Sequence, residues 1–188
     1  MPGVLLVAAT EGELSPVEGA DQLVCGIGPV ESALATARAL ARRPYEAVLH
    51  VGIAGAKSLT PGTIVIGTEA VYCDVIDANA TLPRVDRIGA APGLLARVRQ
   101  LLPEAPAMPI ATCARVGGGE LCEVEAMEGF GVLRAAGLAG VPAIEVRVIS
   151  NAVRHADRSL WAIEHALTTL RQALPGLATA VAHTVHES

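Results

Sequence analysis

Aromatic residues are nearly absent from this chain: Tyr45, Tyr72, Phe130 and Trp161 are the whole set in 188 residues. A stacking platform for single-stranded nucleic acid needs several exposed rings, so that class is excluded. Lysine is scarcer still, with Lys57 alone, and thirteen arginines supply the remaining positive charge. A formal net charge of −5 and a pI near 5.5 run against a phosphate-backbone binder. Long apolar runs are missing too, since none approaches the roughly 18 residues that a membrane-spanning helix needs. Met1–Ala9 is apolar, but it lacks a basic leader and meets Glu11 and Glu13 at once. It reads as a first buried strand and not as a secretory signal. Metal-ligand spacings are also lacking. Cys25, Cys73, Cys113 and Cys122 form no CxxC pair and read as small buried hydrophobes of a cytoplasmic protein. His183-x-x-His186 is the one ligand-like spacing, and it lies in the last six residues, where fraying is expected. Neither a metal nor a cofactor is expected.

What the chain does have is apolar mass. Hydrophobic residues make up 52% and charged residues 18%, with a mean hydropathy of +0.47. That is ample for a core, and at roughly 150 residues per domain it implies one domain over residues 1–188. Runs rich in Val and Ile at Val4–Ala8, Gln22–Cys25, Ala47–Val51, Thr63–Tyr72, Pro109–Cys113 and Ala143–Ile149 read as strands. Several are apolar almost throughout, as in strands covered on both faces. Helical spacing is found at Val30–Arg42, Gly93–Leu102, Val124–Ala136 and Leu160–Leu174. The alternation predicts an α/β fold: a three-layer αβα sandwich around a central mixed sheet. The polar stretch Ala78–Pro92 is the expected long functional loop.

Three glycine segments follow strands: Gly26-Ile27-Gly28, Gly52-Ile53-Ala54-Gly55 and Val116-Gly117-Gly118-Gly119. Each permits close backbone approach to a ligand, but each taken alone is better explained as a tight turn. The first lacks the third glycine of a dinucleotide fingerprint, so no such site is assigned. Carboxylates say more. Glu11 and Glu13 stand directly after the first strand, where α/β sheets present ligand-facing loops. Glu125 and Glu128 are three apart on the predicted helix and could share one face. Glu128 lies among small and apolar neighbours, where a carboxylate needs a specific partner such as a pair of hydroxyls. Ser150 and Asn151 stand at the exit of an apolar strand, where Asn is often only a turn or cap residue.

The order of these pieces resembles the nucleoside phosphorylase/nucleosidase superfamily over about residues 3–175. The elements that carry the likeness are Ala9-x-Glu11-x-Glu13, Gly26-Ile27-Gly28-x-Val30, Gly52-x-Ala54-Gly55, Met127-Glu128-Gly129 and Arg147-x-Ile149-Ser150-Asn151. Within the superfamily the chain is most similar to hydrolases that release hypoxanthine from a nucleoside. The resemblance implies a nucleoside phosphorylase-like fold and a small-molecule nucleoside as partner, with no nucleic acid and no membrane. It implies Glu13 as the carboxylate that activates water, and Met127 against the ribose. Glu128 would accept from the 2′ and 3′ hydroxyls, and Asn151 would assist departure of the base. Ile53, Val116 and Arg147 would also line the substrate site. An Asn amide can donate to the O6 of a 6-oxopurine, where an ionised Asp would repel it.

The chain departs from the pattern in places. Ile53 stands where relatives often carry Ser, and Ser15–Gln22 is shorter than the hairpin of methylthioadenosine/adenosylhomocysteine nucleosidases. His50 and Ile53 replace the Arg and Ser of phosphate-using relatives, and no basic residue is near Glu11–Glu13 in the sequence, so water is the expected nucleophile. A methylthioadenosine/adenosylhomocysteine nucleosidase, or a non-catalytic purine-nucleoside-binding homologue, are the competing readings. The apolar composition and the habits of relatives imply a homodimer or larger homo-oligomer.

Overall fold

The computed structural model describes residues 3–75, 83–155 and 157–182. Eight strands form one mixed sheet: β1 Val4–Ala8, β2 Ala20–Val24, β3 Ala47–Ala56, β4 Ile64–Tyr72, β5 Arg87–Gly89, β6 Ala107–Thr112, β7 Val124–Ala126 and β8 Ala143–Ala152. The spatial order is β2-β1-β3-β7-β6-β4-β5, and β8 pairs with both β3 and β4. The ring β3-β7-β6-β4-β8 therefore closes on itself. Among the described residues four α-helices cover the two faces: α1 Pro29–Arg42, α2 Pro92–Leu101, α3 Gly129–Leu138 and α4 Ile163–Ala182. Val48, Leu5 and Val7 face α1 and α3, packing on Val132, Leu133 and Ala136. Leu49, Val51, Ile144, Val146 and Val148 face α2 and α4, against Val98, Leu170 and Leu174. This is the three-layer sandwich that the alternating pattern predicts.

Helix starts follow local chemistry. Pro29 and Pro92 stand in the first turns of α1 and α2, where proline loses no hydrogen bond that a helix would supply. Gly28 enters α1 at φ +99, a conformation that suits glycine.

Some expectations are corrected. Val124–Ala126 is not the start of a helix but strand β7, and α3 begins only at Gly129. Val124 pairs with Ala56 of β3 and with Ile110 of β6, so it fills a gap between two strand ends that local helix propensity cannot register. The stretch Ala78–Pro92 contains β5 and the start of α2, and its residues 78–82 lie outside the described part. His183 and His186 lie outside it as well. Strand β8 continues past Ile149 to Ala152, with a register shift against β3: Ala54 pairs with Ile149, but Gly55 pairs with Asn151. Ser150 is therefore the extra residue of a β-bulge, a device often found beside functional sites because it re-aims a side chain. Among the described residues no helix is long and apolar enough to cross a membrane.

Candidate active site

A cavity of about 500 Å³ opens where β1, β3, β7 and β8 end, and it brings together residues from the whole chain. Glu13, Ile53, Val116, Met127, Glu128, Arg147 and Asn151 all line it. Thr10, Glu125, Ser150, Arg158 and Trp161 line it too, and sequence reasoning did not assign them to the site. Trp161 is held by its indole N–H, which donates to His155 O at 2.9 Å, with the Arg158 guanidinium 5.5 Å above its ring.

Glu13 ends a single turn of 3₁₀ helix, Glu11–Glu13, directly after β1. Its Oε2 accepts from the Thr10 N–H and hydroxyl, both at 2.9 Å, and its Oε1 accepts from the Ile53 N–H at 3.0 Å. Three donors from two segments thus fix a carboxylate that is only 5% exposed. Glu11, two residues earlier, points to solvent. A basic group does lie near Glu13, contrary to expectation, but it comes from β8. A Cβ on Gly52 would run into both the Arg147 guanidinium and Glu13 Oε1, so only glycine leaves room for both groups beside β3.

Glu125 and Glu128 do not share a helix face. Glu125 belongs to β7, and its two oxygens accept from Gly117 N at 2.7 Å and Gly119 N at 2.9 Å. It therefore anchors the glycine loop that carries Val116. Glu128 is the residue that caps α3, and Ser32 Oγ donates to its carbonyl at 3.1 Å. Its side chain turns into the cavity, with Oε1 receiving Gly28 N–H and Oε2 receiving Arg147 Nη2, each at 3.2 Å. The Gly26-Ile27-Gly28 turn thus approaches a carboxylate of the protein itself. Burial, and next the Glu128 charge, push the Cys25 thiol up to about 12, so it is no nucleophile.

Arg147 is 1% exposed and almost surrounded. Its Nε donates to Glu145 Oε1 at 2.8 Å, its Nη1 reaches Ile53 O at 3.4 Å, and its Nη2 touches His50 Nε2. His50 Nδ1 lies 3.0 Å from Val7 O, which can only accept. The proton is therefore on Nδ1, and Nε2 accepts from Arg147. Burial, and then the Arg147 charge, hold this histidine well below its usual range, so it is neutral. Its 3.9 Å approach to Glu145 is accordingly no ion pair. Burial also raises Glu145, against the opposing pull of Arg147. Sequence reading missed Glu145 and gave His50 no structural part. The available signal was two opposite charges two apart in an apolar strand, which places both on one face.

Asn151 is 4% exposed and follows the bulge. Ser150 Oγ lies 2.8 Å from Asn151 Oδ1, and Asn151 Nδ2 faces Ala152 O at 3.4 Å. A backbone carbonyl cannot donate, so the amide has one orientation, with Oδ1 toward Ser150 and Nδ2 as the outward donor. Among the described residues, no group of His, Cys, Asp and Glu is arranged to hold a metal ion.

Residues 22–184 match the family model described as the Phosphorylase superfamily, and the chain belongs to that superfamily. It is 34% identical to the futalosine hydrolase of Streptomyces coelicolor, over 86% of this chain and 79% of that protein. The futalosine hydrolase of Thermus thermophilus is 31% identical, over 81% of this chain and 78% of its own length. Among solved structures, a Helicobacter pylori 5′-methylthioadenosine/S-adenosylhomocysteine nucleosidase superposes with a TM-score of 0.83 at 18% identity, covering 95% of this chain and 98% of that one. The futalosine hydrolase of Helicobacter pylori gives 0.80 at 17% identity, over 96% and 97%. At these identities the two superpositions speak for the fold.

Proposed function

We propose that this protein is a cytoplasmic N-ribosyl hydrolase that cleaves futalosine, releases hypoxanthine and so serves menaquinone biosynthesis. The observation that carries this reading is the convergence of Glu13, Glu128 and the Asn151 amide donor on one cavity. Glu13 takes the proton of the attacking water, since Oε1 has a single protein donor and keeps a lone pair for it. Glu128 accepts from the ribose hydroxyls beside Met127, holding the reacting carbon in place. Asn151 offers its outward N–H to O6 and N7 of the base and stabilises charge that develops there as the glycosidic bond breaks. Ile53, Val116 and Trp161 supply apolar walls. Water is favoured over phosphate because Arg147, the buried cation of the cavity, has its donors turned to protein acceptors. The sugar end is also rich in carboxylates, which suits a cationic ribosyl centre and repels an anion. No cofactor takes part.

Incubation with futalosine, inosine and methylthioadenosine side by side tests the reading. Hypoxanthine release from futalosine supports it. Adenine release as the dominant reaction would transfer the protein to the methylthioadenosine/adenosylhomocysteine nucleosidases, and binding without turnover would make it a nucleoside-binding homologue.

A further inference from the structure

The Glu128 carboxylate has a neighbour that can spoil it. A guanidinium free to turn would present two parallel N–H groups to a carboxylate and occupy both of its oxygens, as bidentate Arg pairs do. Here Arg147 gives Glu128 only one contact, Nη2 to Oε2 at 3.2 Å. The reason lies one residue pair deeper. Strand register sets His50 directly across from Glu145, and Gly52 directly across from Arg147. Glu145 takes the Nε edge at 2.8 Å, a shorter contact than the one to Glu128, and the neutral His50 meets Nη2 from β3. Ile53 O receives Nη1. The guanidinium is thereby held with its fork turned away from Glu128. Glu145 itself is fully buried, and its Oε2 has no hydrogen-bond partner among the described residues. Gly129, the residue after Glu128, lies against that oxygen so closely that any Cβ would overlap it. A buried carboxylate with an unmatched oxygen is expensive, and hydrocarbon of the same size would pack more cheaply. Its use has to be sought in what it does to Arg147.

We propose that Glu145 is a positioning residue for sugar recognition: it draws the Arg147 guanidinium to itself, so that Glu128 keeps acceptor capacity for a pair of vicinal hydroxyls. This rests on the nucleoside reading above. Glu145 touches no substrate. It acts through Arg147, with His50 as the neutral brace and Gly129 as the space that admits its second oxygen.

The test separates charge from shape. Glu145→Gln keeps the size and removes the charge, whereas Glu145→Asp keeps the charge and shortens the arm. The readout is the ratio of kcat/KM for inosine to that for 2′-deoxyinosine, with far-UV circular dichroism to confirm that each variant is folded. In E145Q the ratio is expected to fall about tenfold, through a higher KM for inosine, with the 2′-deoxy substrate little affected. E145D should retain the wild-type ratio to within about threefold. If Glu145 only fills space, Asp will be the worse substitution and the ratio will stay constant in both, which overturns the proposal. Gly129→Ala, which presses on Glu145 without changing any charge, should lower the ratio in the same direction, and an unchanged ratio there counts against it. Should the wild-type protein turn over no purine nucleoside, the hydrolase reading falls. The same variants are then compared by calorimetric binding of inosine and 2′-deoxyinosine. A 2′-hydroxyl preference in binding that E145Q loses would sustain the positioning role, and a preference that E145Q keeps would end it.

Discussion

The two faces of β3 and β8 do opposite things with the same backbone. Toward α2 and α4 the paired strands present Leu49, Val51, Ile144, Val146 and Val148, which are buried in a continuous hydrocarbon layer. Toward α1 and α3, beyond Val48 and Ala143, they present His50, Gly52, Glu145 and Arg147, equally buried and, the glycine apart, polar. Burial on the first face stabilises through removal of apolar area from water, at roughly 25 cal/mol per Å². On the second face burial is unfavourable for each group alone and tolerable only because each is paired. The strand alternation lets one element do both.

Substitutions at the two faces should therefore fail in different ways. The largest effect is expected from Arg147→Met. It strands two buried carboxylates, Glu128 and Glu145, and should lower stability by about 3–5 kcal/mol as read from urea unfolding. A milder loss would mean that the polar face is less tightly coupled than its geometry implies. Next comes Glu13→Gln, which should leave the fold intact and reduce turnover by about 10²-fold or more, the scale of a lost general base. Glu11→Gln is the control. Activity that depends on Glu11 and not on Glu13 would show that the roles of the first turn have been assigned to the wrong residue.

Asn151→Asp should favour 6-aminopurine over 6-oxopurine nucleosides by about 1–3 kcal/mol in relative kcat/KM, the effect of mispairing a buried polar group. An unchanged ratio in a folded, active variant would reduce Asn151 to a structural part of the bulge. A smaller effect is expected from pH. His50 has a folded-state pKa far below its unfolded value of about 6.5. Below that pH the unfolded chain binds a proton that the folded one refuses, so this contribution to stability is present at neutral pH and is lost on acidification. Between pH 7.5 and 5.5 the wild type should lose more stability than His50→Gln in urea unfolding. Equal losses would place the histidine in another protonation state. The smallest effect belongs to the apolar face. Ile144→Val should lower stability by about 0.5–1.5 kcal/mol and leave kcat/KM per folded molecule unchanged.

Much of this division was legible in the sequence, and its limits have physical causes. The strands of the core announce themselves because apolar runs rich in β-branched residues need only local reading. Glu13, Met127, Glu128, Arg147 and Asn151 were singled out because short segments carry them in a recognisable order. Whatever depends on pairing between distant segments was invisible. Strand β7 has three residues, and their partners lie at Gly55–Ala56 and at Ile110–Thr112. Nothing within Val124–Ala126 distinguishes it from a helix start. The approach of Glu13 and Arg147 to one point beside Gly52 spans most of the chain and depends on the missing side chain there. Trp161, noted only for the family likeness of Asp157-Arg158-Ser159-x-Trp161, was given no site role for another reason: a lone ring gives no periodic signal, and its place at the cavity is set by a hydrogen bond to His155.

The bulge at Ser150 turns a composition into a measured length. Were the strands in uninterrupted register, Ala54 opposite Ile149 would put Ser150 opposite Gly55 and Asn151 opposite Ala56. Because side chains alternate, that single step would send the amide to the other surface of the sheet and leave the hydroxyl in its place. The interval between Arg147 and Asn151 is thus a ruler. Between its two ends a side chain of suitable size is negotiable, whereas an inserted residue is not. Inserting one residue between Ser150 and Asn151, which would carry the amide on to a place opposite Ala56, should give a chain that still folds around its hydrocarbon layer but has lost the donor it directs at a base. In comparing related chains, the spacing of this segment therefore has to be read together with the residue at the place of Asn151.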